Sequence, residues 1–322
     1  MRRWAVAGYV VAFAVSAFVA GIPLSRVTAV AWTLCAFAVY SIGRGWRLLG
    51  RALVDWLPFT AVMVCYDLSR GAADELGRAV HVSWPVAADQ RLFGGAVPTV
   101  WLQQRFHSPG VVHWYDVAAS VTYLSYFFVV PLIMAAMWLK NRAVWRRFTA
   151  NVVALSFAAL ATYVVFPEAP PWYASSHGVI GPVERLAGLV WSELGMRTAG
   201  DLIEEGQSTA NAVAAMPSLH FGYAMLVAVF FYRRVSRRVR PLLLAYPPAM
   251  AISLVYTGEH YVIDVLAGIV YVVAVTAAVS AAASLVTRMG NRGGRYVTWI
   301  MVGDANHRAD LRLSGVEMIE KG

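Results

Sequence analysis

Apolar residues run along this chain in long unbroken blocks rather than alternating with polar ones. The blocks recur as far as position 286 and are separated by short arginine-bearing connections or by longer mixed segments. A block of about 20 residues is what a helix needs to cross the hydrocarbon core of a bilayer. Continuous blocks argue against a membrane β-barrel, whose strands alternate. The pattern predicts an all-α, polytopic membrane bundle of about eight spans, at 4–21, 27–43, 51–68, 114–139, 147–166, 217–233, 241–257 and 260–286. The third span is short and carries Asp55. Met1-Arg2-Arg3 ahead of Trp4–Ala20 has the layout of a signal sequence, and with so many spans behind it reads as an uncleaved anchor.

Between the spans, two long segments carry their own pattern. In 69–113, Trp101-Leu102-Gln103-Gln104-Arg105-Phe106 reads as a short amphipathic helix on the membrane surface, preceded by the breakers Gly94, Gly95 and Pro98. In 167–216, Phe166-Pro167-Glu168-Ala169-Pro170-Pro171-Trp172-Tyr173 is incompatible with regular helix. Val183–Met196 has helical spacing, and a polar linker, Ala199–Asn211, follows. Trp4, Trp46, Trp114, Trp138 and Trp145 fall near span ends, where an interfacial aromatic belt is expected.

Composition agrees with the pattern. Of 322 residues 59% are hydrophobic and 14% charged, against about 25% charged in a soluble domain. A net charge of +9 would suggest nucleic acid in a soluble protein, but here it records topology. With the N-terminus inside, the inner segments hold Arg2 and Arg3; Arg44, Arg47 and Arg51; Lys140, Arg142, Arg146 and Arg147; the Arg233–Arg240 cluster; and the basic residues of the tail. Arg26, Arg70, Arg78, Arg91, Arg105, Arg185 and Arg197 remain for the much longer outer segments. The positive-inside rule therefore supports an even span count with both termini cytoplasmic. Cys35 and Cys65 lie inside apolar runs and offer neither a disulfide framework nor metal spacing.

This topology brings two chemical stretches to one face. Met216-Pro217-Ser218-Leu219-His220 opens one inward-running span, and Glu259-His260-Tyr261-Val262-Ile263-Asp264 opens another. Proline suits a first helical turn. The free amides there favour an anion, Ser218 adds a hydroxyl, and His220 can move a proton. His260 and Asp264 stand four apart, on one face of a helix. A carboxylate on one ring nitrogen leaves the other free to attack, with His220 as the acid that protonates a leaving alkoxide. A proline-capped helix with an incidental histidine and a satisfied interfacial pair are the plain structural readings of these motifs. Metal ligation by His220, His260 and Asp264 lacks further closely spaced ligands. His81, His107, His113 and His177 stand outside any motif and read as solvated or interfacial.

Pro217-Ser218-Leu219-His220 and Ser253…His260…Asp264 resemble the second and third motifs of the type-2 phosphatidic-acid phosphatase superfamily. Together with Pro167–Tyr173 and Ala214–His220 they are similar to its inositol-phosphorylceramide-synthase-like branch, over roughly 145–286. Phe93-Gly94-Gly95 with Pro98-Thr99 looks like that branch too. The resemblance implies His260 as nucleophile, Asp264 as its partner, His220 as general acid and Ser218 at the phosphate, with no metal or other cofactor. Leu219, Trp172, Tyr173 and Glu259 are expected on the substrate side, although a solvated loop carboxylate is the preferred plain reading of Glu259. Tyr123, Tyr126, Tyr173 and Tyr261 are candidates for a lipid groove and read equally as interfacial aromatics.

Two departures stand out. The stretch before Pro167, Ala161–Phe166, has no basic residue, and Leu254 stands where the third motif usually has arginine. A phosphoryl transition state needs positive charge on its equatorial oxygens. Arg91, Arg105, Arg185 and Arg197 are the candidates to supply it.

The expectation is an integral-membrane enzyme acting on a phospholipid or lipid phosphate at the outer face of a plasma membrane. It transfers an inositol-phosphate-like head group between lipids through a phosphohistidine. The alternatives are a lipid-phosphate or polyprenyl-pyrophosphate phosphatase, and a non-catalytic lipid transporter, for which Asp55 and Asn151 are the only polar path. The expected division is 1–68 N-terminal spans, 69–113 an outer amphipathic segment, 114–286 the catalytic core and 287–322 a cytoplasmic tail. Partners are the bilayer and a lipid, not nucleic acid, and the oligomeric state is left open.

Overall fold

Long apolar blocks without internal backbone partners become helices in a bilayer, because only a helix satisfies its own N–H and C=O groups there. The computed structural model describes residues 2–19, 26–43, 45–73, 78–195, 200 and 213–292, and these are helical with no strand among them. The helices are α1 (Arg2–Val19), α2 (Arg26–Ser41), α3 (Trp46–Ala73), α4 (Ser83–Leu92), α5 (Pro98–Phe106) and α6 (Trp114–Lys140). They continue with α7 (Arg142–Val165), α8 (Pro171–Ser176), α9 (Leu186–Glu193), α10 (Leu219–Phe231), α11 (Arg240–Tyr256) and α12 (Val262–Arg292). The Ala199–Asn211 linker, apart from Gly200, lies outside the described residues, as do Arg197 and the tail from residue 293.

All eight expected spans coincide with helices: α1–α3, α6, α7 and α10–α12. The segments Arg47–Arg70, Trp114–Lys140, Arg142–Val165 and Val262–Met289 are long and apolar enough to cross a membrane. This is a multi-pass membrane protein. The third span, expected to be short, is a 28-residue helix that carries Pro58 inside it. Proline is tolerated in membrane helices because neighbouring groups re-satisfy the freed carbonyl.

Helix α10 has 13 residues, too few to cross a bilayer core alone at 1.5 Å per residue. Most of it is enclosed by protein. Leu219, Phe221, Tyr223, Leu226, Val227 and Phe231 are buried, and α6, α7, α11 and α12 pack around it. The main core runs through Trp56, Trp138, Phe148, Leu155, Tyr163, Leu219, Leu226 and Val272.

The two ends of the bundle differ. Short connections join α2 to α3, α6 to α7 and α10 to α11 at the arginine-rich end. The long segments with α4, α5, α8 and α9 gather at the other end. Asp55 sits at the arginine-rich end, taking hydrogen bonds from Trp138 Nε1 at 2.7 Å and from Arg142. Asn151 donates to the Arg147 carbonyl at 2.7 Å. Both residues are thus engaged locally, and neither lines a polar path through the bundle. Trp4 and Trp114 are exposed as a belt requires, but Trp138 and Trp145 are buried. The core at that end is aromatic, with Trp56 beside Trp145 and Phe37 beside Trp138, so these indoles pack inward.

One close approach sets the site. A Cβ on Gly268 of α12 would meet Phe221 Cδ1 at 2.9 Å and the Ser218 carbonyl at 3.2 Å. Glycine there lets α12 lie directly against the start of α10. Gly268→Ala is expected to lower stability by about 1–3 kcal/mol through overpacking. It will show as a lower thermal midpoint in detergent. Gly222→Ala, whose Cβ would meet Leu155 Cδ2 at 3.4 Å, serves as the mild comparison.

Candidate functional site

Helix α10 begins at Leu219, with Ser218 as its N-cap in extended conformation and its Oγ accepting from Phe221 N. Pro217 therefore lies just outside the helix rather than in its first turn, after a cis Met216–Pro217 peptide. His220 sits in the first turn. Its ring lies 4.3 Å from that of Tyr126 and 5.0 Å from that of Tyr123, so both tyrosines wall the site.

The turn before α12 carries His260. Its Nδ1 lies 3.2 Å from Asp264 Oδ2, and its Nε2 lies 3.4 Å from His220 Nδ1. A carboxylate can only accept, so Nδ1 of His260 holds the proton and Nε2 carries a lone pair aimed at His220. The proton between the two rings then belongs to His220 Nδ1. Two helix mouths 40 residues apart in sequence meet in the order expected for an oriented nucleophile and a proton donor. The Ser218 N–H also donates to the Asp264 backbone carbonyl at 3.2 Å, which ties the cap of α10 to α12.

The turn is held from all sides. Glu259 and His260 donate their N–H groups to the Leu254 carbonyl at 3.1 and 3.2 Å. Gly258 has φ +81, and a Cβ there would meet the Glu184 carbonyl at 2.8 Å, so both conformation and space require glycine. From α5, Gln103 donates to the Tyr256 and Glu184 carbonyls and accepts from the Glu184 N–H, all within 2.9 Å. The expected surface helix thus braces the site through one buried amide.

Glu259 is buried, not solvated. It forms a two-pronged ion pair with Arg185, Nε to Oε1 at 2.8 Å and Nη2 to Oε2 at 3.0 Å. The Arg185 guanidinium lies 4.8 Å from the Trp172 ring centroid, and the Trp172 N–H donates to the Gly258 carbonyl. Tyr173 stacks on His177 and meets Trp172 edge to face. Leu219 packs into the core. Leu254 is fully buried between helices with Tyr123, Phe221 and Val265, so no charge sits there. Of the candidate cations, Arg185 is joined to Glu259, the residue next to His260. Arg70, at the end of α3, acts electrostatically on the Tyr163 hydroxyl, which donates to the Pro217 carbonyl at 2.8 Å.

Behind His260 lies a cluster of buried acids. Asp89 of α4 accepts the first free amides of α12, Val262 N and Ile263 N, both at 3.0 Å. Burial raises Asp89 to about 6, aided by the charge of Asp264 and opposed by the two amides. Glu168, 1% exposed, is pushed up to about 11 by burial first and then by Asp264, whose carboxyl is within hydrogen-bonding reach. The Tyr261 hydroxyl is buried beside them and is raised by burial and these charges.

Asp89 and Gln103 escaped sequence reasoning because each acts on a partner more than 80 residues away, and no local spacing marks them. Glu168 stood in a recognisable motif, but nothing in that motif shows its contact with Asp264. His81 stacks on Phe166 at 3.8 Å and His113 caps α6 with Asp116. The His107 side chain is buried, 3.5 Å from Glu184. These three are structural rather than solvated, while His177 is exposed at the surface.

Residues 86–278 match the family model of the PAP2 superfamily. A phosphoinositol dihydroceramide synthase of Bacteroides thetaiotaomicron is 28% identical over 67% of this chain and 72% of its own. The inositol phosphorylceramide synthase catalytic subunit of Saccharomyces cerevisiae is 32% identical over 32% of this chain and 26% of its own. An inositol phosphorylceramide synthase of Candida albicans is 24% identical over 48% of this chain and 33% of its own. The chain thus spans about a third or less of the two fungal relatives. No solved structure matches.

Asp89→Ala is expected to remove the cap of α12 and lower stability by about 1–2 kcal/mol, with faster hydrogen exchange at Val262 and Ile263. Asp89→Asn keeps an acceptor and should lose less. Because folding raises Asp89, the folded chain holds that proton more tightly than the unfolded one. Asp89 should therefore make wild-type stability fall as pH rises from the ordinary aspartate range through about 6, a contribution to the slope that the Asn variant lacks.

Proposed function

The chain is a multi-pass membrane protein of the PAP2 superfamily, an enzyme acting on lipid phosphates, and from that premise we propose that it moves a phosphoinositol-type head group from a donor phospholipid to a lipid alcohol. The observation that carries the reading is His260, with Asp264 on one ring nitrogen and His220 3.4 Å from the other. The head group and the ceramide-type acceptor are taken from the relatives, a phosphoinositol dihydroceramide synthase and two inositol phosphorylceramide synthases.

In the first half-reaction the Nε2 lone pair of His260 attacks phosphorus. The bond from phosphorus to the donor's alcohol oxygen breaks, and His220 gives its proton to that oxygen. The phosphohistidine ring is a cation, and the carboxylate of Asp264 on Nδ1–H balances it. In the second half His220 takes the proton of the acceptor hydroxyl. The acceptor oxygen attacks phosphorus, the N–P bond breaks, and its electron pair returns to His260. Water in place of the alcohol would make the same site a phosphatase.

Ser218, the amides opening α10 and Arg185 surround the phosphoryl oxygens. Arg185 takes the place of the basic residues missing before Pro167 and at Leu254. Trp172 sets its plane, and Glu259 holds its fork. Leu219 supports from the core rather than touching substrate, and Tyr123, Tyr126 and Tyr173 border the lipid. Residues 114–286 form the catalytic core on this reading, with 69–113 bracing it. The site faces the outer side of the plasma membrane, with both termini cytoplasmic.

Purified enzyme given phosphatidylinositol and ceramide will test this. His260→Ala and His220→Ala are each expected to lower turnover at least ~100-fold, and wild-type turnover in both would overturn the mechanism. Mass spectrometry will separate transfer to ceramide from release of free inositol phosphate. Arg185→Ala should lower kcat/KM about 10- to 100-fold, and an unchanged value would remove Arg185 from the phosphate. For the facing, Ser176→Cys in a background lacking Cys35 and Cys65 should react with an impermeant maleimide in intact cells. Arg237→Cys should not, and the reverse pattern would invert the topology.

A further inference from the structure

We propose that Glu168 is a positioning residue: a neutral carboxylic acid that donates its proton to Asp264 Oδ1 and so fixes the carboxylate that orients His260. The inference rests on the proposed role of His260 for its catalytic consequence, but the protonation itself stands apart from that role.

The geometry begins with the backbone. After α7 the chain runs extended through Pro167-Glu168-Ala169 between two other segments. Glu168 N donates to the Val213 carbonyl at 2.7 Å and Ala215 N to the Glu168 carbonyl at 3.3 Å. On the other side His81 N donates to the Pro167 carbonyl and Ala169 N to the His81 carbonyl. These bridges pin Glu168 from both sides and leave its side chain little freedom.

That side chain ends against Asp264. Neither Glu168 oxygen receives a protein donor, and neither does Asp264 Oδ1, yet the two carboxyls are within hydrogen-bonding reach of each other. Two carboxylates so placed and shielded from water repel one another, and one proton between them removes the conflict. The proton has one reasonable home. Oδ2 of Asp264 already faces the Tyr261 N–H at 2.9 Å and the His260 ring, two donors that favour a carboxylate there. Among the described residues no donor is hydrogen-bonded to either Glu168 carboxyl oxygen, and the charges acting on it, from Asp264 on α12 and Asp89 on α4, have its own sign. Tyr261, from the turn before α12, adds a hydroxyl to the cluster but no cation. Among the described residues no group of three His, Cys, Asp or Glu side chains is arranged to hold a metal ion.

A neutral Glu168 does two things. Its O–H locks the plane of the Asp264 carboxylate so that Oδ2 stays on His260 Nδ1. It also keeps one negative charge behind His260 instead of two.

Three variants test the idea. Glu168→Gln keeps the shape, the neutrality and an N–H donor. It should retain at least a third of wild-type kcat, with the acidic limb of the pH profile unmoved. Glu168→Ala leaves Asp264 Oδ1 without a donor and more basic. It should lose at least tenfold in kcat and move the acidic limb to higher pH as His260 holds its proton longer. Glu168→Asp, too short to reach, should behave like Ala. Equal loss in Gln and Ala, or an acidic limb that stays put in Ala, overturns the proposal.

The second arm needs no substrate. The unfolded glutamate ionises, whereas the folded one must take up a proton. The folding equilibrium of wild type should therefore fall relative to Glu168→Gln by up to about tenfold per pH unit above the ordinary glutamate range. Thermal midpoints of the two proteins in detergent should diverge from pH 5 to pH 9, with Gln increasingly the more stable. A constant difference overturns the proposal. If His260→Ala keeps its activity while the midpoints diverge, the transfer mechanism has failed and the proton on Glu168 has not.

Discussion

Everything at the chemical end of this bundle depends on burying Asp264. It is fully enclosed, and an isolated carboxylate in such a place is prohibitively costly. The surrounding chain is arranged to supply what water would have given. Its Oδ2 takes the Tyr261 N–H and the His260 ring, and its backbone carbonyl takes the Ser218 N–H. The same residue therefore orients one histidine through its side chain and anchors the helix of the other through its main chain. Gly268, one turn further along α12, permits the contact by leaving room for Phe221 and the Ser218 carbonyl.

The expected fold was readable because a bilayer restricts the alternatives. A hydrophobic block long enough to span must be a helix, and the arginine asymmetry sets the direction of each. Helix boundaries followed within a few residues, except where hydropathy alone was a poor guide. Helix α3 runs past its apolar stretch at both ends, and Asp55 within it is paired with Arg142. The pairing of His260 with Asp264 was legible because it spans one helical turn. The meeting with His220 was legible only through topology. The supports from α4 and α5 were not legible, since Asp89 and Gln103 act across the fold and look like ordinary polar residues of amphipathic segments.

On the proposed reading, a cation from elsewhere in the chain replaces the charge absent at Leu254. Its side chain is packed between α6, α10 and α12, where an arginine would face an apolar wall. Its carbonyl nevertheless does structural work, gathering the N–H groups of Glu259 and His260. Glu259, held there, fixes Arg185 in a two-pronged pair with Trp172 beneath the guanidinium. A guanidinium so clamped has lost its rotamer freedom before any ligand arrives, which reduces the entropy cost of contacting an anion. The leucine thus positions a cation it does not carry.

The carboxyl groups here divide their labour by environment rather than by type. Glu259 is buried but faces a guanidinium, so its charge is matched. Asp264 is buried but faces N–H donors, so its charge is held by hydrogen bonds. Glu168 is buried and faces only other acids, and burial with like charge favours the neutral acid. Asp89 is intermediate, with two amides set against desolvation and the charge of Asp264. From Glu259 to Glu168, the same functional group passes from paired anion to neutral donor as its neighbours change sign. That gradient runs across His260, with the matched charge beside the substrate face and the unmatched acids behind the ring. On the proposed mechanism, in which His260 alternates between neutral nucleophile and phosphorylated cation, that arrangement keeps one carboxylate close enough to stabilise the cation and the carboxyl behind it neutral.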